Sequence, residues 1–195
     1  MKFLWCDTET TGIDIQNSAP FQIAFIFVCS DVNGKIENEK TFYLNPFDIQ
    51  GIEFNEDAAK IHGYSKETIE SFEPSKEVVE DIDKYLSYCL RFNKPEKMFF
   101  CGYNNKFDLN HIDSLFKHHG KNRFKDFFYP QILDVFEQVK AAGRMKRLPY
   151  LENRKLTTVA KFLNINLEKA HDGMGDIQAT REVAKSLTKM GVKLQ

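Results

Sequence analysis

Cysteine is scarce and unpaired in this chain: Cys6, Cys29, Cys89 and Cys101 form no C-x-x-C unit and sit among apolar neighbours. That spacing argues against a zinc ribbon or a disulfide framework and for buried free thiols in a reducing compartment. No apolar run approaches the roughly 20 residues that cross a bilayer. The opening MKFLWCDTET also lacks the basic region, apolar stretch and cleavage site of a secretory leader. A cytoplasmic location without membrane contact is therefore expected. A surplus of either charge is missing too: 27 Lys and Arg against 28 Asp and Glu leave a formal net charge of −1. This balance argues against a protein that coats nucleic acid by bulk attraction. There are no internal repeats or low-complexity tracts. At 195 residues and 42% hydrophobic, the chain can bury one substantial core but is short for two ordinary domains. Residues 1–195 are thus expected to form a single domain.

Local charge is less even. From Lys117 to Lys155 ten basic residues stand against four acidic ones, a pattern open to two readings: a solvated helical face or a phosphate-guiding surface.

The hydrophobic pattern predicts strands over 2–6, 21–30 and 36–44, the last two joined by a tight turn at Asn33-Gly34, the strongest short hairpin signal. Helices are predicted over 55–62, 66–72 and 75–92, a strand over 97–103, and a helix over 104–118. A short strand near 131–133 leads to a helix capped by Asp134 and running to about Ala142. A basic, proline-containing loop covers 144–154, and helices over 156–163 and 176–189 follow. Strands first as a hairpin and then alternating with helices imply an α/β fold, a mixed sheet covered on both faces.

The chemistry-bearing residues are acidic. Asp7 and Glu9 are two apart at the end of an apolar strand, so both side chains point to one side. Like charges so close are costly unless a proton or cation offsets them, and hard oxygen donors suit Mg²⁺ or Mn²⁺. Asp108 falls in the first turn of the 104–118 helix, where the macrodipole alone gives an acidic residue a reason to be. His171 and Asp176 are five apart, about 140° around an ideal helix. They can face one site only if His171 precedes the helix, with Gly173 and Gly175 as a flexible lead-in.

Together, DTETTG at 7–12, GYNNKFDL at 102–109 and HDGMGD at 171–176 resemble the three exonuclease motifs of the DnaQ-like (DEDDh) family. EDAAKIHGYSKETI at 56–69 and LTTVAKFLNI at 156–165 resemble that family's connecting segments. The resemblance implies a ribonuclease H-like fold: a five-stranded mixed sheet with the second strand antiparallel and helices on both faces. It also implies two Mg²⁺ ions, with Mn²⁺ as substitute, held by Asp7, Glu9, Asp108 and Asp176, and His171 as general base. Imidazole suits that task because it titrates near neutral pH. Where the family's second motif carries histidine this chain has Tyr103, followed by Asn104.

By the same resemblance the substrate is a nucleic-acid 3′ end, cleaved one nucleotide at a time by two-metal chemistry. The wording of the first motif is most similar to the DNA proofreading branch, which makes single-stranded or frayed DNA the expected substrate and a DNA polymerase a candidate partner. An exoribonuclease trimming RNA ends or short oligoribonucleotides would use the same residues. A non-catalytic nucleic-acid-binding module would retain the same fold. Thr10, Thr11 and Gly12 are expected to offer hydroxyls and N–H groups to the terminal nucleotide, with Asn104 beside them. Phe54, Ile61 and His62 are expected to line a stacking face, and Lys146 and Arg147 to guide phosphates.

Overall fold

The computed structural model describes residues 1–31, 34–167 and 171–194. Its first strand, β1 (Lys2–Thr10), lies between two partners. β2 (Pro20–Asp31) runs antiparallel on one side, with Asp7 opposite Ala24 and Glu9 opposite Gln22. β5 (Met98–Gly102) runs parallel on the other, with Trp5 opposite Cys101. β3 (Gly34–Asn45) extends the sheet beyond β2, and β6 (Phe128–Asp134) extends it beyond β5. Of the predicted hairpin turn, Asn33 lies outside the described residues, while the strands on either side pair antiparallel.

The sheet has six strands in the order β4-β3-β2-β1-β5-β6, not the five expected. The sixth, β4, is the two-residue stretch Glu73–Pro74, paired with Leu44 and Asn45 at the end of β3. Two residues carry no alternation, and proline is a poor strand former, so nothing in the sequence pattern marks it.

Seven α-helices, α1 (Glu56–His62), α2 (Lys66–Glu70), α3 (Ser75–Arg91), α4 (Lys106–His118), α5 (Val135–Arg144), α6 (Leu156–Phe162) and α7 (Gly173–Lys189), and two short 3-10 helices at Pro46–Asp48 and Phe124–Phe127 complete the described residues. β1 distributes its side chains to two faces. Leu4 and Cys6 join Val79, Ile82 and Leu86 of α3 and Ile112 and Phe116 of α4 in one core. Trp5 packs on the opposite side, against a cluster of Val139 from α5, Val159 from α6 and Val183 and Leu187 from α7. β2 is buried along most of its length on both faces, which is why it reads as a continuous apolar run rather than an alternating one.

Lys2 shows how tightly the start of β1 is held. Its side chain is buried, and Nζ donates to the carbonyls of Cys89 (3.0 Å), Leu90 (2.6 Å) and Lys94 (2.7 Å). Two of these carbonyls, of Cys89 and Leu90, are in the last turn of α3, the favourable end of a helix dipole for a cation. All four cysteines are buried and unbridged, and burial pushes the Cys89 thiol up to about 12.

Much of the basic run proves to be paired. Lys117 and Lys125 meet Asp113, Lys121 and Arg123 meet Asp83, and Lys140 meets Glu137.

Candidate active site

The site begins at the C-terminal end of β1, where alternation sends neighbouring residues apart. Asp7 and Glu9 share the face toward α7. Thr8 points the other way, and its hydroxyl donates to Asp108 Oδ1 at 2.7 Å. Asp108 is in the first turn of α4 and buried. Gly102 allows α4 to start so close: a Cβ there would lie 2.7 Å from the Cys6 carbonyl oxygen and 2.8 Å from Asn105 Cβ. Only a residue without a side chain fits the junction between β5 and β1.

α7 approaches by a second glycine. Gly173 donates its N–H to Gln22 Oε1 at 2.9 Å, and a Cβ on it would meet that oxygen at 3.1 Å and Ala24 Cβ at 3.2 Å. Gln22 is fully buried, and its Nε2 also donates to the Asp172 carboxylate (3.2 Å) and the Tyr43 hydroxyl (3.0 Å). The predicted lead-in is corrected here: α7 starts at Gly173, so Gly173 and Gly175 are helical, and close packing of Gly173 against β2 outweighs its low helix propensity. His171 precedes the helix, as the spacing required, with φ of 66°. Its backbone N–H donates to Asp176 Oδ2 at 3.3 Å.

Glu9, His171 and Asp176 each offer one ligand atom, and these atoms lie within 4.8 Å of one another. Electrostatics draws Asp7 and Asp108 into the same group. Burial, then the charges of Asp108, Asp176 and Glu9, hold the Asp7 carboxyl well above the usual carboxylate range. Burial and the charges of Asp176 and Asp108 push Glu9 up to about 8. Burial raises Asp108 to about 7 against the opposing hydrogen bond from Thr8, and raises Asp176 to about 6. Asp176 Oδ1 is buried and has no hydrogen-bond partner among the described residues. Four carboxyl groups that resist ionisation side by side, one with an orphaned oxygen, form a donor set that fits hard divalent cations such as Mg²⁺ or Mn²⁺.

A cleft of about 890 Å³ is lined by Asp7, Thr8, Glu9, His171 and Asp176 together with Tyr103, Asn104, Tyr150, Leu151, Arg154 and Lys155, while Asp108 lies behind it. A second, of about 340 Å³, continues from Glu9 past Thr10, Gly12, Asn55, Ile61, His62 and Phe107. Of the expected substrate contacts, Thr10, Gly12, Ile61 and His62 line the second cleft and Asn104 and Ile61 the first. His62 is buried, accepts the Tyr64 N–H at Nδ1 (3.1 Å), and keeps Nε2 without a partner among the described residues.

Four other residues expected to contact substrate line neither cleft. Thr11 is buried and structural: its N–H donates to Ala19, its hydroxyl accepts from Ala19, and its carbonyl accepts from Asn55. Phe54 turns to Phe47, ring centroids 6.3 Å apart, and lines neither cleft. Lys146 and Arg147 line a neighbouring depression of about 570 Å³ rather than the carboxylate cleft, because the chain turns at Lys146, φ 53°, and again at the buried Leu148.

Sequence reasoning missed Gln22, whose only signal is a polar residue inside an apolar strand, and the role of Tyr103. The Tyr103 hydroxyl donates to the Arg154 carbonyl, and its ring packs on Phe136 at 5.7 Å. It thereby ties the basic loop to the end of β5.

A mixed sheet with its second strand antiparallel, flanked by helices and carrying a carboxylate cluster at the end of its central strand, defines a nuclease of ribonuclease H-like fold. The family model described as exonuclease (RNase T) matches residues 4–184, and the chain belongs to that family. None of the curated proteins matches it. Among solved structures, the zinc-ion-bound form of the E. coli ExoI–ssDNA complex has a TM-score of 0.79 at 22% identity, covering 96% of this chain and 40% of that one. E. coli exonuclease I with a dT13 oligonucleotide has a TM-score of 0.77 at 20% identity, covering 98% and 41%. Apo exonuclease I gives 0.76 at 22%, covering 96% and 42%. At that identity the likeness shows the fold. The chain spans about 40% of the length of these structures. No helix among the described residues is long and apolar enough to cross a membrane.

Proposed function

We propose that this chain is a single exonuclease domain that removes nucleotides from the 3′ end of single-stranded or frayed DNA. The reading is supported by the clustering of Glu9, His171 and Asp176, whose ligand atoms lie within 4.8 Å of one another, with Asp7 lining the same cleft and Asp108 behind it on the Thr8 hydroxyl. Two Mg²⁺ ions held by these four carboxylates would supply charge neutralisation at the scissile phosphate and at the departing 3′ oxygen. His171 accepts the proton of the attacking water on an imidazole nitrogen. Its position is set by its own N–H bond to Asp176 and, through Asp172 and Gly173, by Gln22. Thr8 orients Asp108. Ile61 and Phe107 flank the terminal base, and Thr10 and Gly12 supply polar backbone beside it.

Single-stranded DNA is favoured by the structural neighbours solved with dA16 and dT13 oligonucleotides. The domain acts either alone or beside a polymerase. The test is the product ladder from end-labelled DNA and RNA of one sequence with Mg²⁺, with Mn²⁺ and with chelator. Stepwise loss of deoxynucleotides from the 3′ end, abolished by chelator, is the expected result. Internal cuts, or faster release from the ribo-oligomer, would overturn it.

A further inference from the structure

Resting on the nuclease reading, we infer that the loop joining α5 to α6 is a second nucleic-acid subsite, a stacking platform for the single strand upstream of the scissile bond with Tyr150 as its aromatic face. Tyr150 is 94% exposed, and no other aromatic ring among the described residues packs on it. A lone exposed ring needs no explanation. This one stands where two clefts join: the carboxylate cleft and the depression beside it share Tyr150, Leu151 and Arg154. A strand whose end lies over the carboxylates therefore has a continuous path past Tyr150 to Lys146 and Arg147.

The loop is ordered before any ligand arrives. The Arg147 N–H donates to the Ala142 carbonyl at 2.9 Å, and Leu148 is buried among α5, α6 and α7. Tyr103 holds the Arg154 carbonyl, and Asn153 Oδ1 accepts from the Lys155 N–H (2.9 Å) and the Thr158 hydroxyl (2.7 Å). A platform already fixed loses little freedom when it binds.

Charge identifies the occupant. Lys117, Lys121, Arg123, Lys125 and Lys140 are held in ion pairs, whereas none is recorded for Lys146, Arg147, Arg154 or Lys155 among the described residues. These four cations around an exposed ring suit phosphates alternating with unstacked bases. A duplex hides its base faces in the stack, so the matching ligand is single-stranded.

The experiment compares kcat/KM for 3′-end release from oligomers of two to about twelve nucleotides, for wild type, Tyr150→Ala and Lys146→Ala/Arg147→Ala. In wild type kcat/KM rises with length. In Tyr150→Ala about tenfold of that rise disappears through KM, as expected for losing one base stack. The double variant loses part of the rise and flattens the salt dependence by roughly 0.7 per lost phosphate contact. Both changes lie on exposed side chains, and circular dichroism checks that the fold is retained. No length gain in wild type, or the same gain in all three proteins, overturns the subsite while nucleotide release persists. Absence of release from every oligomer overturns the nuclease reading itself, and the subsite with it.

Discussion

Replacing Glu9 by glutamine should stabilise the metal-free protein at neutral pH, even though it damages the site. In the fold this carboxyl is buried beside Asp176 and Asp108 and its pKa moves from 4.5 to about 8. The folded protein therefore holds the proton more tightly than the unfolded chain throughout that window, and stability falls as pH rises from about 4.5 toward 8. At pH 7 the side chain stays protonated, and keeping it so costs at most about 3 kcal/mol, from about 1.36 kcal/mol per pH unit. Glutamine has the same shape and no proton to hold, so that cost disappears. For a chain of this size 1 kcal/mol is about 2–4 °C in Tm, so chelated Glu9→Gln should melt roughly 6–12 °C above chelated wild type at pH 7. The gap should be small at pH 5 and widest near pH 8. Saturating Mg²⁺ should raise wild type more than the variant, because bound cations favour the ionised site. Differential scanning fluorimetry in EDTA and in Mg²⁺ at three pH values decides it. A variant that melts at or below chelated wild type at pH 7, or a gap that does not grow with pH, would refute the electrostatic account of the cluster.

Other consequences are testable in the same preparation. His171→Ala should retain the fold and lose about 10²–10⁴-fold in kcat at saturating metal, the usual worth of a positioned general base; near wild-type turnover would remove the imidazole from the mechanism. Gln22→Ala leaves the Gly173 N–H without its acceptor, so urea denaturation should show a loss of about 1–3 kcal/mol, with kcat falling more than KM changes because His171 and Asp176 lose their anchor. Gly102→Ala forces a methyl to within 2.7 Å of the Cys6 carbonyl, and should cost about 1–3 kcal/mol or more in the same assay.

The part of this architecture open to sequence reading is the part in which short-range pattern decides structure. The continuous apolar run of β2, the apolar start of β1 before Asp7 and the aspartate cap of α5 each follow from local periodicity or side-chain hydrogen bonding. The acidic residues were legible as candidates because strand alternation and the placement of Asp108 in a first helical turn are local facts too. What remained hidden depends on contacts distant in sequence. β4 exists only because β3 offers a backbone edge to it. Gly173 looks like a helix breaker until Gln22, 151 positions earlier, supplies the reason for a bare backbone. Thr11 has the right chemistry for a substrate contact and spends it on Ala19 and Asn55. Of the basic run, Lys121 and Arg123 are neutralised by Asp83, a partner some 40 residues away that local pattern does not reveal.

The site is divided between two mechanical regimes. Asp7 and Glu9 pair with β2 at the end of a strand whose Phe3–Trp5 stretch is flanked by strands on both edges, and Lys2 at its start is clamped by its own buried ammonium. Amide protons of Phe3 to Trp5, just before the carboxylates, should be among the last in the molecule to exchange with solvent. His171 stands outside its helix in a left-handed backbone conformation, exposed and linked to the rest through Asp176. Gentle warming should therefore loosen the proton acceptor while the carboxylates remain in register, and activity would fade before the sheet begins to melt.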